Sequence, residues 1–304
     1  MPQSPFSTDH APPIGVAERL ADDLEVVTAP NASPMTFTGT RSYILGRDRV
    51  ALIDPGPALE AHKQALLEAL RGRLVEAIVV THAHLDHSPL AGPLSRETGA
   101  PVYGCARALA ERSRITLALG DVGGGEGIDA GFRADVELDD GQGISGDGWA
   151  LSAIHTPGHL SDHLCLSDGA RLFSGDHVMG WATSMISPPE GNLTAFMRSL
   201  EVLLERPEKI YYPGHGAPVE DGPAIARYLL DHRRGRERQI LERLGAGPQS
   251  LAQLTAHIYR AVDPSLHGAA SRNVLSHLID LYGRGIVTCR GDFSTDAVFE
   301  LARK

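Results

Sequence analysis

Apolar positions along this chain fall into two kinds of run: short blocks bounded by glycine, proline or aspartate, and longer stretches spaced every three or four residues. The short blocks predict strands at 24–29, 36–46 and 49–53, with a turn at Gly46-Arg47-Asp48 and a stop at Asp54-Pro55-Gly56. Residues 58–71 have helical spacing, with Leu59, Ala65, Leu66, Ala69 and Leu70 on one face. A buried strand follows at 76–81. Ser88 then caps a helix running to residue 97, with Pro89 in its first turn, and a short strand occupies 101–105. Strands resume at 134–138, 149–154, 163–167 and 170–174, before a helix at 193–205, a strand at 209–212 and a long helix at 224–244. Strands followed by strand–helix alternation, twice over, predict an α/β chain built as a sheet sandwich covered by helices.

The pattern changes near residue 238. Helices at 238–244, 250–259 and 269–282 precede a strand at 285–289 and a turn at Gly291-Asp292. Three helices followed by a small β element is the order of a winged helix. The chain therefore divides into an N-terminal arm at 1–23, a main domain at 24–237 and a winged-helix-like domain at 238–304.

Composition narrows the class. With 304 residues, 42% hydrophobic and 22% charged, the chain is an ordinary globular protein. The N-terminal stretch is polar and proline-bearing, unlike a signal peptide, and no run approaches the roughly 18 apolar residues of a membrane-spanning helix. Cys105, Cys165 and Cys289 are far apart and odd in number, which excludes a disulfide framework and fits a reducing cytoplasm. The net charge of −10 is uneven, because residues 224–304 carry 12 basic and 8 acidic side chains. Such asymmetry can mark a nucleic-acid surface. The simpler reading is that Arg233, Arg234, Arg236 and Arg238 solvate a connecting helix. Residues 120–131 hold six glycines but no Gly-Lys-Ser/Thr, so they read as a surface loop or lid and not as a phosphate loop.

Candidate chemistry concentrates after the strand at 76–81. His82, His84, Asp86 and His87 place four potential metal ligands within six residues. Imidazole nitrogen and carboxylate oxygen are the donors that zinc and related transition metals favour. Further candidates follow other predicted strands, often beside glycine: His155 and His159, Asp176 and His177, and His215. Strand ends are where a rigid scaffold presents ligands into a shared cleft.

Together with Asp54-Pro55-Gly56, the residues His82, His84, Asp86, His87, His159, Asp176 and His215 make the chain resemble the metallo-β-lactamase superfamily over most of residues 24–220. The resemblance implies a four-layered αββα sandwich with a two-metal site on one edge. It implies that His82, His84 and His159 bind one ion, that Asp86, His87 and His215 bind a second, that Asp176 bridges both, and that Asp54 orients the histidine loop from behind. Two divalent ions, Zn²⁺ above all, with iron and manganese also matching this donor set, would share the hydroxide that acts as nucleophile. Asp86 counts as a catalytic candidate as well as a ligand. His163 and His177 are candidate proton donors, with a hydrogen-bonded structural role as the competing reading.

Within the superfamily, the stretch from His159 to His163, the loop at 180–189 and the C-terminal segment resemble the lactamase-beta-2-like branch. That branch is associated with a small C-terminal helical domain beside the cleft; its best-known member resembles a metal-dependent endoribonuclease acting on single strands, and bacterial relatives are mostly just called hydrolases. Trp181, Met185 and Ser187 are expected to line the substrate mouth. One departure is Ser88-Pro89-Leu90-Ala91-Gly92, where many members carry glycine directly after the last histidine.

The expected function is a cytoplasmic dinuclear metallohydrolase, acting on a small-molecule ester or thioester or on single-stranded RNA, with no membrane partner. Two alternatives compete. One is a mononuclear iron dioxygenase on the same scaffold. The other is a metal-sensing DNA-binding regulator, with Arg272, Asn273, His277 and Arg284 on the third C-terminal helix facing a groove.

Overall fold

The computed structural model describes residues 4–105, 119, 127–263 and 266–303. Strict period-two alternation organises it. In β2 (Leu24–Thr28), β4 (Arg49–Ile53) and β5 (Leu74–Val79), the side chains of Leu24, Val26, Ala51, Ile53, Ala77 and Val79 enter a central core, while Val27, Val50, Leu52 and Ile78 enter another on the opposite face. The same division recurs in β9 (Trp149–His155), β10 (Leu164–Ser167), β11 (Arg171–Gly175) and β12 (Ile210–Pro213). Trp149, Leu151, Leu164, Leu166, Phe173 and Tyr212 meet the central core, and Ile154, Cys165, Leu172 and Tyr211 point away. Both faces of both sheets are buried, which is why these strands read as continuous apolar blocks.

The first sheet runs in chain order through β1 (Ala17–Ala21), β2, β3 (Arg41–Gly46), β4, β5, β6 (Val102–Gly104) and β7 (Val136–Glu137). It is antiparallel as far as β4 and parallel beyond. The second is ordered β12-β11-β10-β9-β8, with β8 at Gly143–Gly146. Helices α1 (Glu60–Ala69) and α2 (Ala91–Thr98) cover the first sheet. Helices α3 (Leu193–Leu204) and α4 (Gly222–Gly245) cover the second. This is the expected four-layered αββα sandwich. Its two sheets are tied at the end that carries the histidine loops: Tyr43 Oη donates to the Pro213 carbonyl at 2.7 Å, and the Arg41 amide donates to the Gly214 carbonyl at 2.8 Å.

The last turns of α4 leave the sandwich. Ile240 and Leu244 enter a separate core with α5 (Leu251–Ile258), α6 (His267–Gly283) and a small sheet ordered β13 (Gln249–Ser250), β15 (Val298–Leu301), β14 (Val287–Cys289). Ser250 caps α5, and Gln253 returns the bond to the Ser250 amide.

Several expectations shift. Ordered structure begins inside the segment read as a loose arm, because β1 pairs with β2 and Glu18 lies 3.5 Å from the buried Arg41 guanidinium. No linker separates residues 237 and 238, since both lie within α4. Ser88 is not a helix cap: α2 starts at Ala91, and the Ser88 hydroxyl instead bonds the His84 carbonyl and Asp129. Of the glycine-rich stretch, residues 120–126 lie outside the described residues. Residues 127–131 are bonded to the histidine loop, with Leu85 donating to the Gly127 carbonyl and Asp129 to the Ala83 carbonyl. Strands β8 and β15 were not foreseen. The first is largely glycine and serine, and the second depends on partners distant in sequence.

Phe299 is fully buried where β15 meets the end of α4. Replacing it by alanine should cost about 3–5 kcal/mol of stability, read as a lowered denaturant midpoint.

Candidate metal centre

Each candidate ligand leaves the C-terminal end of a strand of the sandwich. Asp54 follows β4, the stretch from His82 to His87 follows β5, and His159, Asp176 and His215 follow β9, β11 and β12. The seven expected ligands converge. Their donor atoms form three groups, each within 4.8 Å: His82, His84 and His159; His82, His87 and Asp176; Asp86, His87 and His215.

Outward hydrogen bonds decide which nitrogen of His82, His87, His159 and His215 faces inward. Asp54 accepts from the Thr81 amide at 2.7 Å and from the Thr81 hydroxyl at 2.8 Å. With that hydroxyl proton committed, His82 Nδ1–H donates to Thr81 Oγ1 at 2.9 Å, which turns the His82 Nε2 lone pair into the site. His87 Nδ1–H donates to Asp54 Oδ2 at 3.0 Å, His159 Nδ1–H to the Met185 carbonyl at 2.8 Å, and His215 Nδ1–H to the Gly39 carbonyl at 3.3 Å. Acceptors on the far nitrogen fix both tautomer and ring orientation of a metal-binding histidine.

The inward atoms then confront one another. His84 Nδ1 lies 3.0 Å from His82 Nε2 and 3.1 Å from His159 Nε2, and His87 Nε2 lies 3.3 Å from His215 Nε2. Both Asp86 oxygens and Oδ1 of Asp176 are buried with no oriented donor. Buried lone pairs aimed at each other are unfavourable unless a proton or a cation sits between them. The donor set therefore fits divalent metal ions.

Charge in the protein without ions follows the same geometry. Burial pushes His84 down to about 3, with His159 adding to the effect. Burial also opposes protonation of His215, but Asp176 and Asp86 outweigh it and raise this imidazole to about 10. His87 moves upward for the same reason, under Asp86, Asp176 and Asp54. Gly214 makes the close approach possible, because a Cβ there would stand 2.4 Å from Asp176 Oδ1 and 2.6 Å from His87 Cε1.

The two candidate proton donors are not placed to reach a substrate. His163 is fully buried, its Nδ1 bonded to Thr156 Oγ1 at 2.9 Å and its Nε2 accepting from the Asp176 amide at 3.2 Å. It positions Asp176. His177 is fully buried against Phe196, ring centroids 4.4 Å apart, and burial lowers it to about 3. Asp162, which sequence reasoning left without a role, accepts from the amide of Ala83 at 2.9 Å and so holds the chain between His82 and His84. Thr81 was missed as well. Its only signal was its place next to the first histidine.

A cleft of about 310 Å³ opens beside His159 and Asp176. Trp181 and Met185 line it. Ser187 does not; its carbonyl accepts from the Gly191 amide in a tight turn. Trp181 stacks on Phe37 with centroids 4.9 Å apart. The opposite wall comes from the C-terminal domain, through Tyr259, Val262, Leu266, Ala270 and Asn273. Helix α6 thus faces the cleft and the catalytic sandwich. Of the residues considered for a DNA groove, His277 is buried, Asn273 lines the cleft, and Arg284 pairs with Glu237 and Asp280 at 2.8 Å each, while Arg272 is half-buried.

Residues 35–215 match the model of the metallo-beta-lactamase superfamily. The chain belongs to that superfamily. Residues 250–295 match the beta-lactamase associated winged helix domain. A beta-lactamase-like protein 2 homolog of Drosophila melanogaster is 30% identical over 90% of this chain and 92% of its own length. An atrochrysone carboxyl ACP thioesterase of Aspergillus chevalieri is 27% identical over 86% of this chain and 79% of its own. Among solved structures, a beta-lactamase domain protein from Burkholderia ambifaria superposes with a TM-score of 0.78 at 20% identity, covering 97% of this chain and 96% of that one. Membership of the superfamily, thioesterase-named relatives and the His/Asp donor groups support a metal-dependent hydrolase. No helix among the described residues is long and apolar enough to cross a membrane.

Two outcomes test this centre. Asp54→Ala removes the acceptor behind Thr81 and His87 and should weaken metal affinity about 10–100-fold in a chelator competition, with the fold retained by circular dichroism. Metal loading must expel the protons held on His87 and His215. Affinity should therefore rise with pH from 6 towards about 10, and calorimetry in buffers of different ionisation enthalpy should show proton release at pH 7.

Proposed function

We propose that the chain is a dinuclear metallohydrolase of thioesters or esters whose acyl part is apolar. The observation that carries this reading is the lining of the cleft. Met35, Met179, Trp181, Met185, Val262 and Leu266 dominate it, and none of its described lining residues is lysine or arginine. A phosphodiester backbone needs cations along its path. An acyl chain needs apolar wall and little else. The relatives named as acyl carrier protein thioesterases agree with this choice.

In the proposed arrangement His82, His84 and His159 hold one ion, Asp86, His87 and His215 the other, and Asp176 reaches both. When bound, such ions lower the pKa of water and polarise the scissile carbonyl. Zinc is the first choice, and iron and manganese suit the same donors. The chain's own residues do the placing. His163 fixes the Asp176 backbone, Asp162 fixes the loop between His82 and His84, and the apolar wall lowers the dielectric around the reacting carbonyl.

The experiment compares zinc-loaded protein on an apolar acyl thioester and on end-labelled single-stranded RNA, with Asp176→Ala as control and metal content measured alongside. Thioester hydrolysis should appear with two ions per chain, and both activity and metal content should fall in the variant. Cleavage of the RNA with the thioester untouched would overturn the reading. One bound iron with oxygen consumption would replace it by a dioxygenase.

A further inference from the structure

Arg233 is a buried cation without a counter-ion among the described residues. It projects from α4, is 1% exposed, and forms no ion pair among the described residues. Its Nη2 donates to the Ser184 carbonyl at 2.5 Å, its Nη1 donates to Asn273 Oδ1 at 2.8 Å, and its Nε finds no partner among the described residues. The guanidinium also lies 5.7 Å from the centroid of Phe196. Burial draws it down to about 10, which still leaves it charged at neutral pH. A buried charge held only by neutral acceptors is costly, and an anion nearby would offset that cost.

Asn273 stands between this cation and the cleft. Because its Oδ1 is taken by Arg233, its amide orientation is fixed, and Nδ2 has no protein acceptor among the described residues. Asn273 lines the cleft on the wall supplied by the C-terminal domain, while His159 and Asp176 line the catalytic wall. Around it the lining is Tyr259, Val262, Leu266, Ala269 and Ala270, so a polarised N–H donor stands out in otherwise apolar surroundings. Arg236, over the Tyr259 ring at 4.4 Å, adds a second positive charge behind the same wall.

We propose that Asn273, oriented by Arg233, reads a carboxylate on the substrate's acyl group, so that the preferred substrate is an apolar acyl chain ending in an acid. This deepens the acyl-hydrolase reading and takes its probe series from it. Asn273 is a specificity residue and Arg233 a positioning residue. A purely structural role for the pair, tying the loop at Ser184 to α6, predicts no preference between acidic and neutral chains.

The test is binding to full-length, metal-loaded protein by calorimetry. The probes are ketone analogues of glutaryl- and pentanoyl-N-acetylcysteamine, in which a methylene replaces the thioester sulfur; they share a chain length and differ in the terminal carboxylate. The glutaryl analogue should bind about tenfold tighter. Asn273→Leu should bring the ratio to about one. Asn273→Asp keeps a partner for Arg233, so the fold is retained, yet it should reverse the preference. Equal affinities in the parent protein, or no binding of either probe, overturn the proposal. So does a preference that survives Asn273→Leu, since the carboxylate would then be resting on the metal centre. Binding is read without turnover. The expected ratio together with inert thioesters would therefore sink the hydrolase reading and leave Asn273 in place.

Discussion

The Asp54 carboxylate is the constraint on which the centre depends. It sits in a left-handed backbone conformation, φ 49°, at the end of β4, and its two oxygens are shared between Thr81 and His87. By committing the Thr81 hydroxyl proton it determines the tautomer of His82, and by accepting from His87 it determines that ring as well. Two lone pairs thereby face inward without any direct contact between Asp54 and the space they face. The parallel pairing of β4 and β5 sets the distance, because it brings the strand end carrying Asp54 beside the one carrying Thr81. A sandwich with those strands out of register would have the same residues and no centre.

The ligands were legible in the sequence because they are local. Four sit within six residues, and the others stand at strand ends marked by glycine. The sandwich was legible because apolar blocks alternate with helical spacing. What the sequence concealed was non-local. His163 and His177 share the composition of proton donors, and only packing reveals that both are sealed in the interior. Asn273 and Tyr259 carry no motif, and they reach the cleft only because α6 folds back over the sandwich, where Ser276 Oγ donates to the Ile186 carbonyl. The division at residues 237 and 238 was drawn where composition changes, yet the helix crosses it without a break. Helix propensity does not register which of two cores a helix serves.

The cleft is a joint product of the two domains. The sandwich contributes the centre and Trp181, whose indole is held flat by Phe37. The C-terminal domain contributes the opposing wall. Residues of both line the same cleft, and enclosure is what makes electrostatic interactions at the centre strong.

Helix α4 joins these parts in a specific way. Its first half, through Ile225, Ala226, Leu229 and Leu230, belongs to the core of the sandwich, and its last turn, through Ile240 and Leu244, belongs to the other core. Twenty-four residues of unbroken helix make a rod of about 36 Å with no hinge in it. Phase is then locked to length. One inserted residue between Arg233 and Ile240 would turn the C-terminal domain by about 100° and carry Asn273 away from the cleft, with every metal ligand left in place. Side chains on the cleft wall can be exchanged without moving it, whereas lengthening the rod displaces the whole wall.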